Sequence, residues 1–169
     1  MRLDDLNRLP EPDAADALRR CCGADAWVRA MCRARPFRDR AHLLRAAEGA
    51  AEGLSRDDWL EAFGAHPRIG DREALRGRFA STAAWASEEQ RGAGAAPESV
   101  RDRLARGNEE YLRQFGYIFI VCATGKSAEE MLALLEARLE NDAARELAIA
   151  ALEQRRITRL RIEKLVEAP

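Results

Sequence analysis

The stretch Tyr117-Ile118-Phe119-Ile120-Val121-Cys122-Ala123 decides how the whole chain is read. It is rich in β-branched and aromatic residues and is bounded by Gly116 and Gly125, the local pattern of a strand. A strand, however, needs a neighbour to satisfy its backbone N–H and C=O groups. No second segment of comparable quality exists to pair with it, so it reads as a buried extended segment in a helical protein. Its amides are then available to bind something other than a strand. The expected fold class is all-α: a single-domain, compact multi-helix fold over residues 1–169 with one buried extended segment near 117–123.

Working outward, helices flank this segment on both sides. Downstream, Ser127-Ala128-Glu129-Glu130 is a capping box that opens a helix to about Glu140, and the last helix spans roughly Ala143 to Val166. Upstream, Pro97 suits the first position of a helix that runs to Gln114 and stops at Gly116. Gly92 to Ala96 reads as a loop, Ser81 or Thr82 starts a helix through Trp85 to Arg91, and Gly70 to Phe79 is a charged connector. Ser55 and Asp58 form a second capping box. It opens the helix Asp57–Ala65, which is expected to bury Trp59, Leu60 and Phe63. Asp39 to Leu54 carries Leu43, Leu44 and Ala47 at helical spacing. An earlier helix with Trp27, Val28 and Met31 closes at Arg35-Pro36, and another runs from near Asp13 to Cys22, with Gly23 as its stop. The first segment, Leu3–Leu9, ends at Pro10 and Pro12.

Composition narrows the class of function. With 47% hydrophobic and 34% charged residues the chain reads as soluble and globular. Lys+Arg of 28 against Asp+Glu of 29 leaves a formal net charge of -1, so no global field draws it to nucleic acid or to an anionic membrane. No apolar run approaches the roughly 20 residues that span a bilayer. Met1-Arg2-Leu3-Asp4-Asp5 lacks a secretory h-region, and Glu167-Ala168-Pro169 is not a Ser-Lys-Leu type tripeptide. A cytoplasmic location is expected. Cys21, Cys22, Cys32 and Cys122 form no Cys-x-x-Cys, and the adjacent pair is poorly placed to bridge, so all four read as reduced thiols. The two histidines, His42 and His66, lack zinc-ligand spacing, and no metal is expected; His42 reads as structural.

The chemistry concentrates at Ala65-His66-Pro67-Arg68-Ile69-Gly70-Asp71. Pro67 pushes His66 out of the α region just where a helix must stop. An imidazole held there is well placed for a cleft, and histidine is the side chain whose unperturbed pKa lies nearest neutrality. The alternative is a histidine that caps the last helical carbonyls. Glu89 lies four residues after Trp85, on one helix face, where a carboxylate beside an indole loses hydration and could orient an imidazole. The alternative is a solvated charge, which is how Glu88 reads. On a wheel with Ile157 at zero, Arg161 falls near 40° and Leu165 near 80° at about 100° per residue, while Arg155, Arg156 and Arg159 fall on the wet side. Arg161 therefore points inward and wants a carboxylate, from the protein or from a ligand, unless its head snorkels to the surface.

Several segments in order add to this reading. They are Cys21-Cys22-Gly23 with Trp27, Arg35-Pro36-Phe37, the His66 stretch, Glu89-Gln90, Asn108 to Tyr111, Phe115 to Ile120, and Ile157-Thr158-Arg159-Leu160-Arg161. Over essentially its whole length the chain resembles the 2-oxo-4-hydroxy-4-carboxy-5-ureidoimidazoline (OHCU) decarboxylases, which complete the route from urate to (S)-allantoin. The resemblance implies an all-α homodimer that decarboxylates a small ureidoimidazoline stereoselectively, without metal or organic cofactor. It implies catalytic roles for His66 and Glu89, with Pro67 fixing the histidine and Gln90 contacting the imidazoline. The backbone of Phe119, Ile120, Val121, Cys122 and Ala123 would line the site, and Arg161 would bind an anionic or ureido portion of the substrate. One position departs from the pattern: Ala86 stands where the family often has the serine of Ser-x-x-Glu-Gln, and Ser87 lies about 100° further round a helix. The expected cost is one neutral hydrogen bond, about 1 kcal/mol, with activity retained. Rival readings are a non-catalytic helical binding or regulatory module of the same fold, and a hydrolase of a related cyclic ureide. A module without the chemistry would be expected to lose His66, Glu89 or Arg161, and all three are present.

Overall fold

A computed structural model describes residues 1–68, 85, 88 and 97–166. Among the described residues there are eight multi-turn or longer helices and no strand, so the chain is all-α. It divides into two compact units, Met1–Ala62 with Arg155–Pro169, and Phe63–Gln154.

The first unit holds α1 (Leu3–Arg8), α2 (Glu11–Arg19), α3 (Asp25–Arg33), α4 (Arg40–Glu52), most of α5 (Arg56–Gly64) and the second half of α8 (Ala143–Leu165). Leu3–Leu9 is mostly helical, and Leu6 enters the core fully buried. α2 begins earlier than Asp13 because Pro12 sits in its first turn, where the missing N–H would have had no helical partner anyway. α4 and α5 start where their caps predict. Asp39 accepts from the His42 amide at 2.6 Å, and Asp58 accepts from the Ser55 amide and hydroxyl at 2.9 and 2.6 Å. α3 packs against both α2 and α4. Leu18, Trp27, Met31 and Leu43 form the interior, and the Trp27 indole N–H donates to the Ala47 carbonyl at 3.1 Å, so its one polar atom is satisfied. Of the three residues expected to be buried on α5, Phe63 is, but Trp59 and Leu60 are only half-buried.

The second unit holds α6 (Glu98–Phe115), α7 (Ala128–Leu139) and the first half of α8. Pro97 is the N-cap of α6, one place earlier than expected, and Gly116 ends that helix at φ 81°. The Ser127 capping box opens α7: the Ser127 amide donates to Glu130 at 2.7 Å and the Glu130 amide donates back at 3.2 Å. α6 and α7 pack closely at Gly107, where an added Cβ would stand 2.7 Å from Leu135 Cδ2. Residues 117–123 form neither helix nor strand, and all but Ile118 are buried.

Side chains take the place of a partner strand. Arg138 Nη1 donates to the Ile120 carbonyl at 2.8 Å, Lys126 Nζ donates to the Cys122 carbonyl at 2.7 Å, and the Cys122 amide donates to Glu153 at 2.7 Å. The expectation that these amides are left for a ligand is therefore corrected at Cys122, whose N–H is already engaged. Arg138 is itself held by Glu146, at 2.5 Å from Nη2 and 2.8 Å from Nε, and its guanidinium lies 4.6 Å from the Phe119 ring centre. Tyr111 donates to the same Glu146 carboxylate. No helix among the described residues is long and apolar enough to cross a membrane.

Candidate functional site

α5 delivers His66 as the sequence predicts. The His66 backbone amide donates to the Phe63 carbonyl at 3.1 Å, closing the last turn, and Pro67 is buried immediately after it. The imidazole is half-buried, and its Nε2 lies 2.8 Å from Oε1 of Gln154 on α8. Gln154 is fully buried, and its neighbour Glu153, 8% exposed, is the acceptor for the Cys122 amide. One step along α8 thus reaches both the histidine bend and the non-helical segment 117–123. Phe119, Ile120, Val121, Cys122 and Ala123 are all buried.

Arg161 lies in the first unit and is described there. It is 3% exposed, as its place on the wheel requires, and Nη1 donates to the Arg20 carbonyl at 3.3 Å. Arg20 is the C-cap of α2, whose carbonyls carry the negative end of the helix dipole. A backbone carbonyl is therefore one of its acceptors, where the sequence suggested a carboxylate. Burial pushes the neighbouring Cys21 and Cys22 thiols up to about 12 and about 11, against the opposing pull of Arg161, which leaves them as poor nucleophiles.

Glu89 and Gln90, with Ala86 and Ser87, lie outside the described residues. Glu88 is helical and exposed, and Trp85 is helical and half-buried. His42 lies in the first turn of α4, and its Nδ1 accepts from the Arg38 amide at 3.1 Å. Arg156 and Arg159 are exposed as expected, but Arg155 is half-buried and pairs with Glu48 at 2.5 Å. A shallow hollow in the first unit is lined by Cys22, Trp27, Leu44, Trp59, Arg155 and Thr158 among others, and by none of the predicted site residues. Among the described residues no group of three His, Cys, Asp or Glu side chains is placed to hold a metal ion.

Sequence reasoning missed Gln154, Glu153 and Arg138. A signal for Gln154 was present: on the wheel that placed Arg161 it falls near 60°, a polar amide in the middle of an apolar stripe. Such a residue needs an internal partner. Nothing local marks Arg138, whose partners lie on other elements.

Comparison with known proteins follows the same lines. A family model described as OHCU decarboxylase matches residues 7–163. The chain is 37% identical over 147 residues to the uric acid degradation bifunctional protein TTL of Arabidopsis thaliana, covering 86% of this chain and 45% of that protein. It is 29% identical over 163 residues to the 2-oxo-4-hydroxy-4-carboxy-5-ureidoimidazoline decarboxylase of Haloferax volcanii, covering 96% of this chain and 94% of that one. It also matches a crystal structure of OHCU decarboxylase in the presence of (S)-allantoin, with a TM-score of 0.75 and 34% identity over 89% of this chain and 97% of that one. The chain spans less than half the length of the curated bifunctional relatives it matches.

Proposed function

The chain belongs to the OHCU decarboxylase family, and on that premise we propose that it is a carboxy-lyase converting 2-oxo-4-hydroxy-4-carboxy-5-ureidoimidazoline to (S)-allantoin in urate catabolism. The observation that carries this reading is the His66 imidazole, placed on a proline-fixed bend and held 2.8 Å from the buried amide of Gln154. A solvated helix cap has no use for such an anchor. A histidine that must meet a reacting carbon in one orientation does.

The chemistry asked of the site is limited. The bond from ring carbon to carboxylate breaks heterolytically, CO2 leaves, and the electron pair left behind spreads into the imidazoline and its carbonyl. A proton then adds to that carbon on one face. His66, oriented by Glu89, handles the proton; Pro67 fixes the bend; Gln90 contacts the ring; Arg161 holds an anionic or ureido group. The backbone of Phe119, Ile120, Val121, Cys122 and Ala123 lines the site. With the Cys122 amide given to Glu153, the amides of Ile120 and Val121 take the role of stabilising developing negative charge. One-sided protonation explains why a single enantiomer results where uncatalysed breakdown gives a racemate. No metal or organic cofactor is needed. The chain acts as one domain over residues 1–169, as a homodimer, in the cytoplasm.

Freshly prepared substrate tests the proposal by CO2 trapping with circular dichroism of the allantoin formed. The expected result is CO2 release with an optically active product, and a loss of at least about 100-fold in kcat for His66→Asn. Racemic product at the background rate would identify a binding module, and substrate loss without CO2 a hydrolase.

A further inference from the structure

We propose that Gln154 is a positioning residue that keeps a proton on Nε2 of His66, so that any change in the ring's protonation falls on Nδ1. The inference rests on the decarboxylase reading of His66 and goes beyond the anchoring contact that reading uses, by assigning the ring's tautomer. A side-chain carbonyl oxygen has no proton to give. Its approach to within 2.8 Å of Nε2 therefore requires an N–H on that nitrogen, in the neutral ring as in the imidazolium. Gln154 is 0% exposed, so bulk water does not readily take the ring's place at this contact.

The position of Gln154 adds a second element. Adjacent side chains on a helix diverge by about 100°. Glu153 uses that divergence to accept from the Cys122 amide at 2.7 Å while Gln154 holds the imidazole. One step of α8 therefore sets the orientation of the acid–base group and the backbone of the segment that lines the site. A reaction whose outcome is one enantiomer needs that geometry, because a ring free to turn over would present either nitrogen.

Nitrogen-15 spectra of the histidine-labelled protein test this directly, since only His42 and His66 contribute signals and His42→Gln assigns them. In the wild-type protein Nε2 of His66 is expected to stay in the protonated range throughout a pH titration. An unprotonated Nε2 would overturn the proposal. Gln154→Met, close in shape but without an acceptor for an N–H, should let Nε2 lose that constraint and lower kcat about tenfold at nearly unchanged KM. Gln154→Glu keeps an acceptor and should restore both the Nε2 signature and most of kcat. If Gln154→Met fails to fold, the wild-type spectrum and Gln154→Glu still decide the matter. Equal kcat in wild type and a folded Gln154→Met would also refute it. The spectra do not depend on turnover, so an inactive wild-type protein would remove the functional reading and leave this measurement standing.

Discussion

The two units bury their polar groups in different ways. In the first, the helices use local devices: Asp39 caps α4, Ser55 and Asp58 bond reciprocally at the start of α5, and Trp27 finds a carbonyl on α4. Its interior is mainly apolar, with Leu6, Leu18, Met31 and Leu43 fully buried and Arg161 as a charged exception. In the second, the chain leaves helical structure for seven residues, six of them buried, and loses the backbone pairing that a helix supplies. Arg138, Lys126 and Glu153 replace it. That replacement forces ions into the core: Glu146 is fully buried and Arg138 nearly so. The predicted histidine and its lining segment both lie in this second unit. A segment without a strand partner has to be held by side chains, and the same need places ionic and polar groups where chemistry is possible.

The contrast can be broken most directly at Glu146. Glu146→Ala strips Arg138 and Tyr111 of a buried acceptor and should cost about 3–5 kcal/mol in urea unfolding. Arg138→Met with Glu146→Leu should recover much of that loss, because no charge is then left unpaired. In the first unit Leu43→Ala should cost about 3 kcal/mol through lost burial and a residual cavity. An effect of Glu146→Ala well below that of Leu43→Ala would contradict the distinction between the two interiors. Gly107→Ala should destabilise by about 1–2 kcal/mol despite alanine's better helix propensity, since the new methyl must displace the buried Leu135 side chain.

The smallest effect concerns the caps of the first unit. The His42 amide bonded to Asp39, and the Ser55 hydroxyl and amide bonded to Asp58, hold both carboxyls below their ordinary value of 3.8. Their stabilisation is complete above that value and is lost as pH falls through the lowered folded-state values. Asp39→Asn and Asp58→Asn, which cap without titrating, should therefore make the acid side of the stability curve shallower. An unchanged acid limb in both variants would show that these caps contribute no pH-dependent stability.

Much of the helical framework was legible because its signals are short-range. Ser127 with Glu130, Ser55 with Asp58, and Gly116 each mark an end of a helix within a few residues. The start of α2 was misjudged because Pro12 reads as a breaker unless its place in the first turn is known. For the candidate site, the position of His66 was legible in Pro67 and the burial of Arg161 in its apolar stripe. Their partners were not. Gln154 lies 88 residues from His66, and Glu153 lies 31 from Cys122.

From the sequence alone came the all-α class, the exposed or buried face of the last helix, and a histidine where a helix stops. Capping, proline geometry and amphipathic period act over one or two turns, so the chain carries them in plain order. Tertiary structure alone decided which side chains take up the backbone of residues 117–123 and which group holds the imidazole. Periodicity states that a residue faces inward; only the packing of distant elements determines what it meets there.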